Sequence, residues 1–194
     1  MVARRLAVST CVLFFLAGCT QVLHVTEADP RPDVNLCETS AAPSCPPLTL
    51  AIAPAIADDF QRPEKYPIYA CNVTHWRSTL EHGFRHAFSP YFHVTTVRDP
   101  AGLVVELTEA EFELVPTQTF LSGKITGVRT RLHYRARLVR GTGEGVAESS
   151  GTVDAKTSVG DPDYLTTNVG SAVEAMVERM ALDFFPKVPK PSVP

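Results

Sequence analysis

The chain has 194 residues, of which 44% are hydrophobic and 20% are charged, and its formal net charge is −3. This length is enough for one domain with a sizeable core. The small net charge argues against a protein that binds polyanions over its whole surface. Beyond the N-terminal segment, no apolar run reaches the length of a transmembrane helix.

The N-terminus has the pattern of a secretory signal. Arg4 and Arg5 precede an apolar run over residues 6–16, which is too short to cross a bilayer as a helix. The following residues, Leu16-Ala17-Gly18-Cys19, resemble the lipobox of bacterial lipoproteins. That resemblance implies removal of residues 1–18, attachment of a lipid to the Cys19 thiol and acylation of the new amine, for example with palmitate. Several acyl chains together hold a protein firmly on a membrane.

Thr20, rather than an aspartate, follows the cysteine of the lipobox. In sorting of the enteric type, this favours the outer membrane over retention in the inner membrane. We therefore expect a protein anchored by its N-terminal lipid in the cell outer membrane, with its domain facing the periplasm. Nucleic acid is not expected as a partner in that compartment.

The remaining cysteines would face an oxidising periplasm, where disulfides persist. Cys37 and Cys45 bracket a short loop, and we predict that they pair. Such a bond is worth roughly 2–3 kcal/mol in the loop-entropy picture. Cys71 leaves three alternatives open: a buried inert thiol, a bond to Cys45, or a reactive thiol ahead of a helix.

The first half of the chain predicts a tether, a strand and a helix. Residues 19–47 contain five prolines among polar residues and read as an extended tether. Residues 48–53 form a short apolar strand, and residues 54–71 read as a loop. A helix then runs to about Phe88, with Asn72 or Thr74 as its cap and apolar residues at three- and four-residue spacing.

The second half predicts a run of strands and a closing helix. A strand over 92–97 would complete a βαβ crossover with the first strand. The apolar alternation over residues 103–114 slips by one position after residue 108, which predicts a bulge or a bend. Residues 125–139 and 146–157 read as a hairpin joined by a glycine-rich turn.

The last helix runs from a cap at Thr166 or Thr167 to about Phe185, and residues 186–194 form a proline-rich tail expected to be disordered. The predicted domain, residues 48–185, therefore has the order β-α-β-β-β-β-α. We expect an α+β fold in which two amphipathic helices pack on one face of an antiparallel-rich sheet.

One predicted strand carries a basic side chain at every second position. These residues, called the basic row here, are Arg129, Arg131, His133, Arg135 and Arg137. Alternate side chains of a strand share one face. Acidic residues at 109, 111 and 113 and in the strand 146–157 would flank this row and neutralise it. The alternative is that the row docks on an acidic partner or on lipid phosphates.

Other polar groups give weaker signals. His75, His82 and His86 lie on one side of the first helix, but no third ligand is placed beside them as a zinc site requires. The pair Asp58-Asp59 lies in a proline-rich loop, and the pair Asp161/Asp163 precedes the last helix, where it suits a turn and the helix dipole. We expect no catalytic site, no metal site and no cofactor, and hence no enzyme.

The arrangement resembles periplasmic lipoproteins of the ABC-type transport auxiliary and YajG-like group. The matching features are the lipobox, the helix V-T-H-W-R-S-T-L-E-H-G-F, the strand R-L-H-Y-R-A-R-L with its hairpin, and the terminal helix. The resemblance implies a non-enzymatic accessory or binding module in envelope transport or assembly, with an envelope protein or a lipid as its partner. The alternative is a structural or regulatory lipoprotein that contacts peptidoglycan or a cell-wall synthase.

Overall fold

A computed structural model of the chain describes residues 21–36, 47–63, 69–118, 125–158 and 163–185. The predicted lipidation site Cys19, the predicted Cys37–Cys45 pair and the predicted tail at 186–194 all lie outside the described residues.

The described residues form eight strands and two helices. In chain order they are β1 Gln21–Val25, β2 Pro47–Ile52, β3 Phe60–Pro63, β4 Tyr69–Val73, α1 Trp76–Phe88, β5 His93–Thr95, β6 Leu103–Gln118, β7 Ile125–Arg140, β8 Gly145–Ser158 and α2 Tyr164–Phe184.

The larger sheet has five strands in the order β5-β2-β6-β7-β8. β2 is parallel to both β5 and β6, whereas β6, β7 and β8 form a long antiparallel meander. α1 lies between the parallel strands β2 and β5, which confirms the predicted crossover. The predicted α+β class is confirmed, and the predicted β-α-β-β-β-β-α series corresponds to β2, α1, β5, β6, β7, β8 and α2.

Three strands that the sequence did not predict form a second sheet, in the order β1-β4-β3. β1 begins within the predicted tether and pairs in parallel with β4. β3 and β4 lie in the segment predicted as a loop, and they pair antiparallel. Each of these strands has only four or five residues and lies near prolines, so no clear alternation marks it in the sequence.

The start of α1 differs from its predicted position. Asn72, one of the two predicted caps, lies in β4, and the helix begins at Trp76 after His75, which adopts a left-handed conformation with φ of 59°. The cap comes instead from the loop before β3. The Asp59 carboxylate accepts from the His75 amide and the Asp58 carboxylate from the Arg77 amide, each at 2.9 Å. Both negative charges also suit the positive end of the helix dipole.

Arg77, on the first turn of α1, holds the chain that follows β2. Its guanidinium donates to the backbone carbonyls of Ile52, Ala53 and Ile56 at 3.0–3.2 Å. Donors in a rigid fork suit several carbonyls at once. This contact brings the loop that carries Asp58 and Asp59 to the end of the helix that they cap.

The predicted irregularity in β6 is confirmed as a break in register. Leu107 lies opposite Ala136 and Glu109 lies opposite Arg135, so Thr108 is the extra residue. The insertion allows both Leu107 and Ala110 to face the core, where they are 1% and 5% exposed. The Ala110 carbonyl accepts a hydrogen bond from the Trp76 indole at 3.1 Å.

The β7–β8 hairpin is also confirmed. Its turn carries Gly143 with φ of +98°, a conformation that favours glycine. The Arg140 amide donates to the Glu144 carbonyl and the Gly143 amide donates to the Arg140 carbonyl, each at 2.8 Å. This turn sets the register of the two strands, and the register places the basic row of β7 beside alternate residues of β8.

The core lies between the larger sheet and the two helices. α2 starts at Tyr164, slightly before its predicted cap, and lies against β7 and β8. Within the described residues, no helix combines the length and the apolar character needed to cross a membrane. Ring contacts of Phe88 with Phe84, Phe92 and Phe185 join the end of α1 to the end of α2.

Buried polar contacts attach α2 to the sheet. Asn168 donates to the Thr130 hydroxyl at 2.8 Å, and both side chains are fully buried. Near the other end of α2, the Ser149 hydroxyl lies 2.7 Å from the Asp183 carboxylate and 3.3 Å from the Tyr134 hydroxyl. Burial raises the pKa of the Tyr134 phenol above its usual value of 10.0, while the hydrogen bond from Ser149 opposes that rise.

The raised pKa of Tyr134 predicts a loss of stability in alkaline solution. Above pH 10 the phenol ionises more readily in the unfolded chain than in the folded one, so the free energy of unfolding falls as the pH rises. Denaturant unfolding between about pH 8 and pH 11 measures this fall. Tyr134→Phe should show a shallower fall than the wild type, and equal slopes would contradict the assignment.

Candidate functional site

The basic row lies on the solvent-facing side of β7, between β6 and β8 of the larger sheet. The register places Glu109, Glu111 and Glu113 of β6 on one side of it, as the sequence predicts, directly opposite Arg135, His133 and Arg131. Alternate residues of β8 lie on its other side. The row is therefore flanked on both sides by polar and charged strands.

Two arginines of the row form ion pairs across the strands. Arg131 contacts Glu113 at 3.2 Å and Asp154 at 3.1 Å, and so connects β6, β7 and β8. Arg137 lies 3.4 Å from Glu148 of β8. All of these side chains are at least about one-third exposed, so water and salt weaken each pair.

The other members of the row have different neighbours. His133 Nδ1 lies 2.8 Å from the Thr152 hydroxyl. Arg129 lies directly opposite Lys156, a juxtaposition of like charges. Arg129 and Arg135 form no ion pair with any residue that the structure describes, so the charge of the row is compensated only in part.

The N-terminal segment crosses the two helices. Residues 26–34, called the strap here, follow β1 and place four backbone amides against helix side chains. Ala28 donates to Thr79 of α1 at 3.0 Å, and Thr26, Arg31 and Asp33 donate to Thr166, Glu174 and Glu178 of α2 at 3.2, 2.8 and 2.9 Å. The described part of the predicted tether is therefore packed against the domain.

Small residues on the helices make room for the strap. A methyl group added at Gly83 of α1 would lie 2.9 Å from Val173 of α2 and 3.0 Å from Pro30. A methyl group added at Gly170 of α2 would lie 3.3 Å from Ala28. The strap therefore fills the place between α1 and α2 where an apolar groove would otherwise open.

Charged side chains add to the attachment of the strap. His86 Nε2 lies 2.8 Å from Asp29, and the Ser78 hydroxyl hydrogen-bonds to Glu27. Hydrogen bonds from Arg31 and His86 hold the pKa of Asp29 below its usual range. His82 Nδ1 lies 3.5 Å from Glu27, beyond a good hydrogen bond. Two of the three helix histidines thus face carboxylates of the strap.

The third histidine lies in a different cluster. His75, Asp58 and Asp59 offer ligand atoms within 4.8 Å of one another, and all three are exposed or nearly so. Both carboxylates already accept hydrogen bonds from the first turn of α1. Capping a helix accounts for this arrangement without an ion.

Three surface cavities have different linings. One of about 260 Å³ lies at the bulge of β6 beside Phe60, Trp76 and Phe112, and one of about 150 Å³ lies beside Arg77 and Val94. The third, of about 440 Å³, lies between the edge of β8 and α2. The first two are below the usual volume of small-molecule sites, about 300–1,000 Å³.

Cys71 lies in β4 and is 1% exposed. Burial of this kind disfavours the reactive-thiol alternative, because a reactive cysteine needs access to its partner. The residues Cys19, Cys37 and Cys45 lie outside the described part of the chain, so their predicted roles stay predictions.

Sequence reasoning missed the strap and the true cap of α1. Both depend on contacts between residues far apart in the chain: Ala28 with Thr79, and Asp58 with Arg77. The sequence contains one sign of the true cap of α1. Asp58-Asp59 is an acidic pair to which the sequence assigns no role, and carboxylates are favoured at helix N-termini. The glycine at position 83, inside a helical pattern, was a second sign of a close packing contact.

Comparisons with known proteins do not assign this chain to a family. No family model matches it, and no curated protein matches it. Solved structures give distant similarities. A protein of Xanthomonas campestris has a TM-score of 0.48 at 14% identity, covering 83% of this chain and 92% of its own.

Two further similar structures are lipoproteins by name. Rare lipoprotein B of Shewanella oneidensis has a TM-score of 0.39 at 12% identity, covering 70% of this chain and 87% of its own. Lipoprotein B of Nitrosomonas europaea has a TM-score of 0.41 at 12% identity, covering 71% and 83% respectively. At such values these similarities do not define the function of this chain.

The ion pairs of Arg131 predict a measurable share of stability. Replacing Arg131 with Ser removes two cross-strand pairs and should lower the free energy of unfolding by about 0.5–1 kcal/mol in dilute salt. The loss should shrink as salt is added, because exposed charges are screened. Urea unfolding at low and high ionic strength measures both effects.

Arg135→Ser is the matched control, since Arg135 belongs to the same row but has no ion pair among the described residues. Its effect should stay within about 0.5 kcal/mol. An equal loss in both variants would contradict the role given to the pairs of Arg131. Intact stability of both variants with loss of a bound partner would instead identify the row as a docking surface.

Proposed function

We propose that this chain is a lipoprotein anchored in the outer membrane, whose domain faces the periplasm and serves as a non-enzymatic docking module for a protein of envelope transport or assembly. The observation that carries the proposal is the position of the lipobox cysteine. Cys19 stands two residues before β1, a strand of the folded domain.

The short connection supports a domain held close to the membrane. Two residues of fully extended chain span at most about 7 Å. β1 pairs with β4, and the strap that follows it is attached to both helices. A lipid on Cys19 would therefore place the domain beside the bilayer, and its orientation would be limited by the short link.

The packing of the helices favours a protein partner over a lipid cargo. The place between α1 and α2 is filled by Ala28 and Pro30 of the strap. The exposed side of the larger sheet, in contrast, is a broad charged surface formed by β6, β7 and β8. Charged surfaces of this kind steer and orient protein partners.

Hydrogen bonding of the reactive side chains favours binding over catalysis. Ser149, Asp183 and Tyr134 attach α2 to the sheet, and Asp58 and Asp59 cap α1. These hydrogen bonds stabilise the fold, and this structural role explains the positions of the five side chains. The charged surface formed by β6, β7 and β8, rather than a cleft, is therefore the proposed binding surface.

The anchor is tested by Cys19→Ala in cells. Loss of the lipid site should move the protein from the membrane fraction to the soluble fraction once its signal is cleaved. Fractionation with measurement of the intact mass distinguishes the cleaved form from an unprocessed precursor. Cys11→Ala, which changes a cysteine inside the signal, is the matched control and should leave the protein on the membrane.

A cleaved Cys19→Ala protein that stays on the membrane would contradict the lipid anchor. Thr20→Asp tests the sorting step separately: separation of inner and outer membranes should show a shift toward the inner membrane. A wild-type protein found in the inner membrane would overturn the outer-membrane assignment and leave the anchor itself intact.

The partner is tested by crosslinking in intact envelopes. A transport or assembly complex recovered with the wild type, and lost on replacing both Arg129 and Arg135 with Ser, would support the proposal. Recovery of a cell-wall synthase would instead support the alternative of a structural or regulatory lipoprotein. A folded double variant that keeps the transport complex would exclude the basic row as its docking surface.

A further inference from the structure

β8 forms one edge of the larger sheet. It has 14 residues and pairs along its length with β7. Among the residues that the structure describes, no strand pairs with its other side. The backbone groups on that side can accept another strand, which is why such edges are sites of association.

Two of the usual protections against association, a proline and a bulge, are missing from the middle of this edge strand. Residues 146–156 contain no proline, and the register shift of the β7–β8 pair lies at the turn end of the strand. The opposite edge of the sheet, β5, has only three residues. β8 is therefore the longer and more regular edge of the two.

The charges on the solvent side of β8 are arranged so that the strand complements itself. Its alternate residues on that side are Glu148, Ser150, Thr152, Asp154 and Lys156. If two copies run antiparallel about Thr152, Glu148 of each lies opposite Lys156 of the other. Two opposite-charge pairs form at once, and each is worth about 0.2–1 kcal/mol.

Neighbouring registers do not give this match. Centring the pair on Gly151 sets Glu148 opposite Asp154, and centring it on Asp154 sets Asp154 opposite its own copy; both place like charges directly opposite, which is destabilising. Centring it on Val153 sets Lys156 opposite Ser150 and Asp154 opposite Thr152, so neither charge meets an opposite one. Among these registers, only the one centred on Thr152 therefore places Glu148 of each copy opposite Lys156 of the other.

Within one chain, the charge of Lys156 is poorly placed. Its neighbour on β7 is Arg129, so two like charges lie side by side. Glu148 reaches toward Arg137 at 3.4 Å but its side chain is still 79% exposed. A second copy would supply Lys156 with a carboxylate and cover much of the exposed Glu148.

A cavity of mixed character lies along the same edge. The cavity of about 440 Å³ beside β8 is lined by Gly151, Thr152 and Val153 of the strand and by Ala175, Glu178, Arg179 and Leu182 of α2. Leu182 is 57% exposed, one of the few large apolar side chains left open. The cavity lies at the centre of the proposed pairing, where a second copy would cover it.

We propose that two copies of this chain associate through β8, antiparallel about Thr152, so that their larger sheets form one continuous sheet. The symmetry is that of a two-fold dimer, in which the same surface of each copy meets itself. The basic rows of both copies then lie on one common face. This proposal does not rest on the lipid anchor or on the identity of a partner.

A charge exchange in the intact protein as cells produce it, purified in detergent, tests the pairing. Lys156→Glu sets Glu148 opposite a glutamate twice in the dimer and should raise the dimer dissociation constant about tenfold or more. The same change puts a carboxylate beside Arg129, so the fold itself should be preserved. Glu148→Lys combined with Lys156→Glu should restore dimerisation.

Arg85→Glu, the same kind of charge change on α1, is the control and should leave the dissociation constant unchanged. Analytical ultracentrifugation with matched detergent density measures association, and circular dichroism checks the fold. A wild type that stays monomeric to about 100 μM, far above the dissociation constants of specific complexes, overturns the proposal. So does a folded double variant that fails to restore the dimer.

Disulfide trapping provides a second, independent measurement. Thr152→Cys should form a crosslinked dimer on mild oxidation, because residues directly opposite in an antiparallel pair have Cβ atoms about 4.5–5.5 Å apart. Val146→Cys is the matched control on the same strand: it lies six residues from the centre and should not crosslink to its own copy. Equal crosslinking of both variants, or crosslinking of neither, contradicts pairing about Thr152. Crosslinking of β8 to residues 186–194, or to another envelope protein in its place, would likewise overturn it.

Discussion

Four backbone amides of the strap donate to side chains of the two helices, and these contacts determine how the N-terminus meets the domain. Ala28 is bound by α1, whereas Thr26, Arg31 and Asp33 are bound by α2. The Ala28 bond is buried, and an unpaired buried amide costs about 1–3 kcal/mol, so this amide needs its partner on Thr79; the other three bonds are exposed to solvent. The strap therefore connects β1 to the helical layer and makes the N-terminal segment part of the fold.

The two sides of the larger sheet differ in what covers them. α2 covers the core side of β7 and β8, and Trp76 of α1 reaches β6, while the other side of these strands faces solvent. On that open side the meander places its charges in rows, with the ion pairs of Arg131 across three strands. The surface left for recognition is thus a charged sheet that ends in the edge of β8.

The sequence was informative where periodicity is strong and contacts are local. Both helices and the β6–β7–β8 meander follow from spacing alone, and the slip after residue 108 predicted the bulge at Thr108. The pairing of β1 with β4 joins residues about fifty positions apart, and no local pattern specifies it. Proline-rich composition predicted an extended tether that includes residues 26–34, but composition carries no information about whether such a chain is free or packed.

The central claim is that the strap is part of the folded domain, and hydrogen exchange tests it most directly. In the intact protein as cells produce it, peptides that cover residues 26–34 should exchange slowly, with protection approaching that of α1 and α2, because four of their amides are bound to helix side chains. Mass spectrometry of exchanged peptides gives this measurement without altering the chain. Exchange at the rate of an unstructured peptide, while both helices stay protected, would contradict the account and return this segment to the role of a free tether.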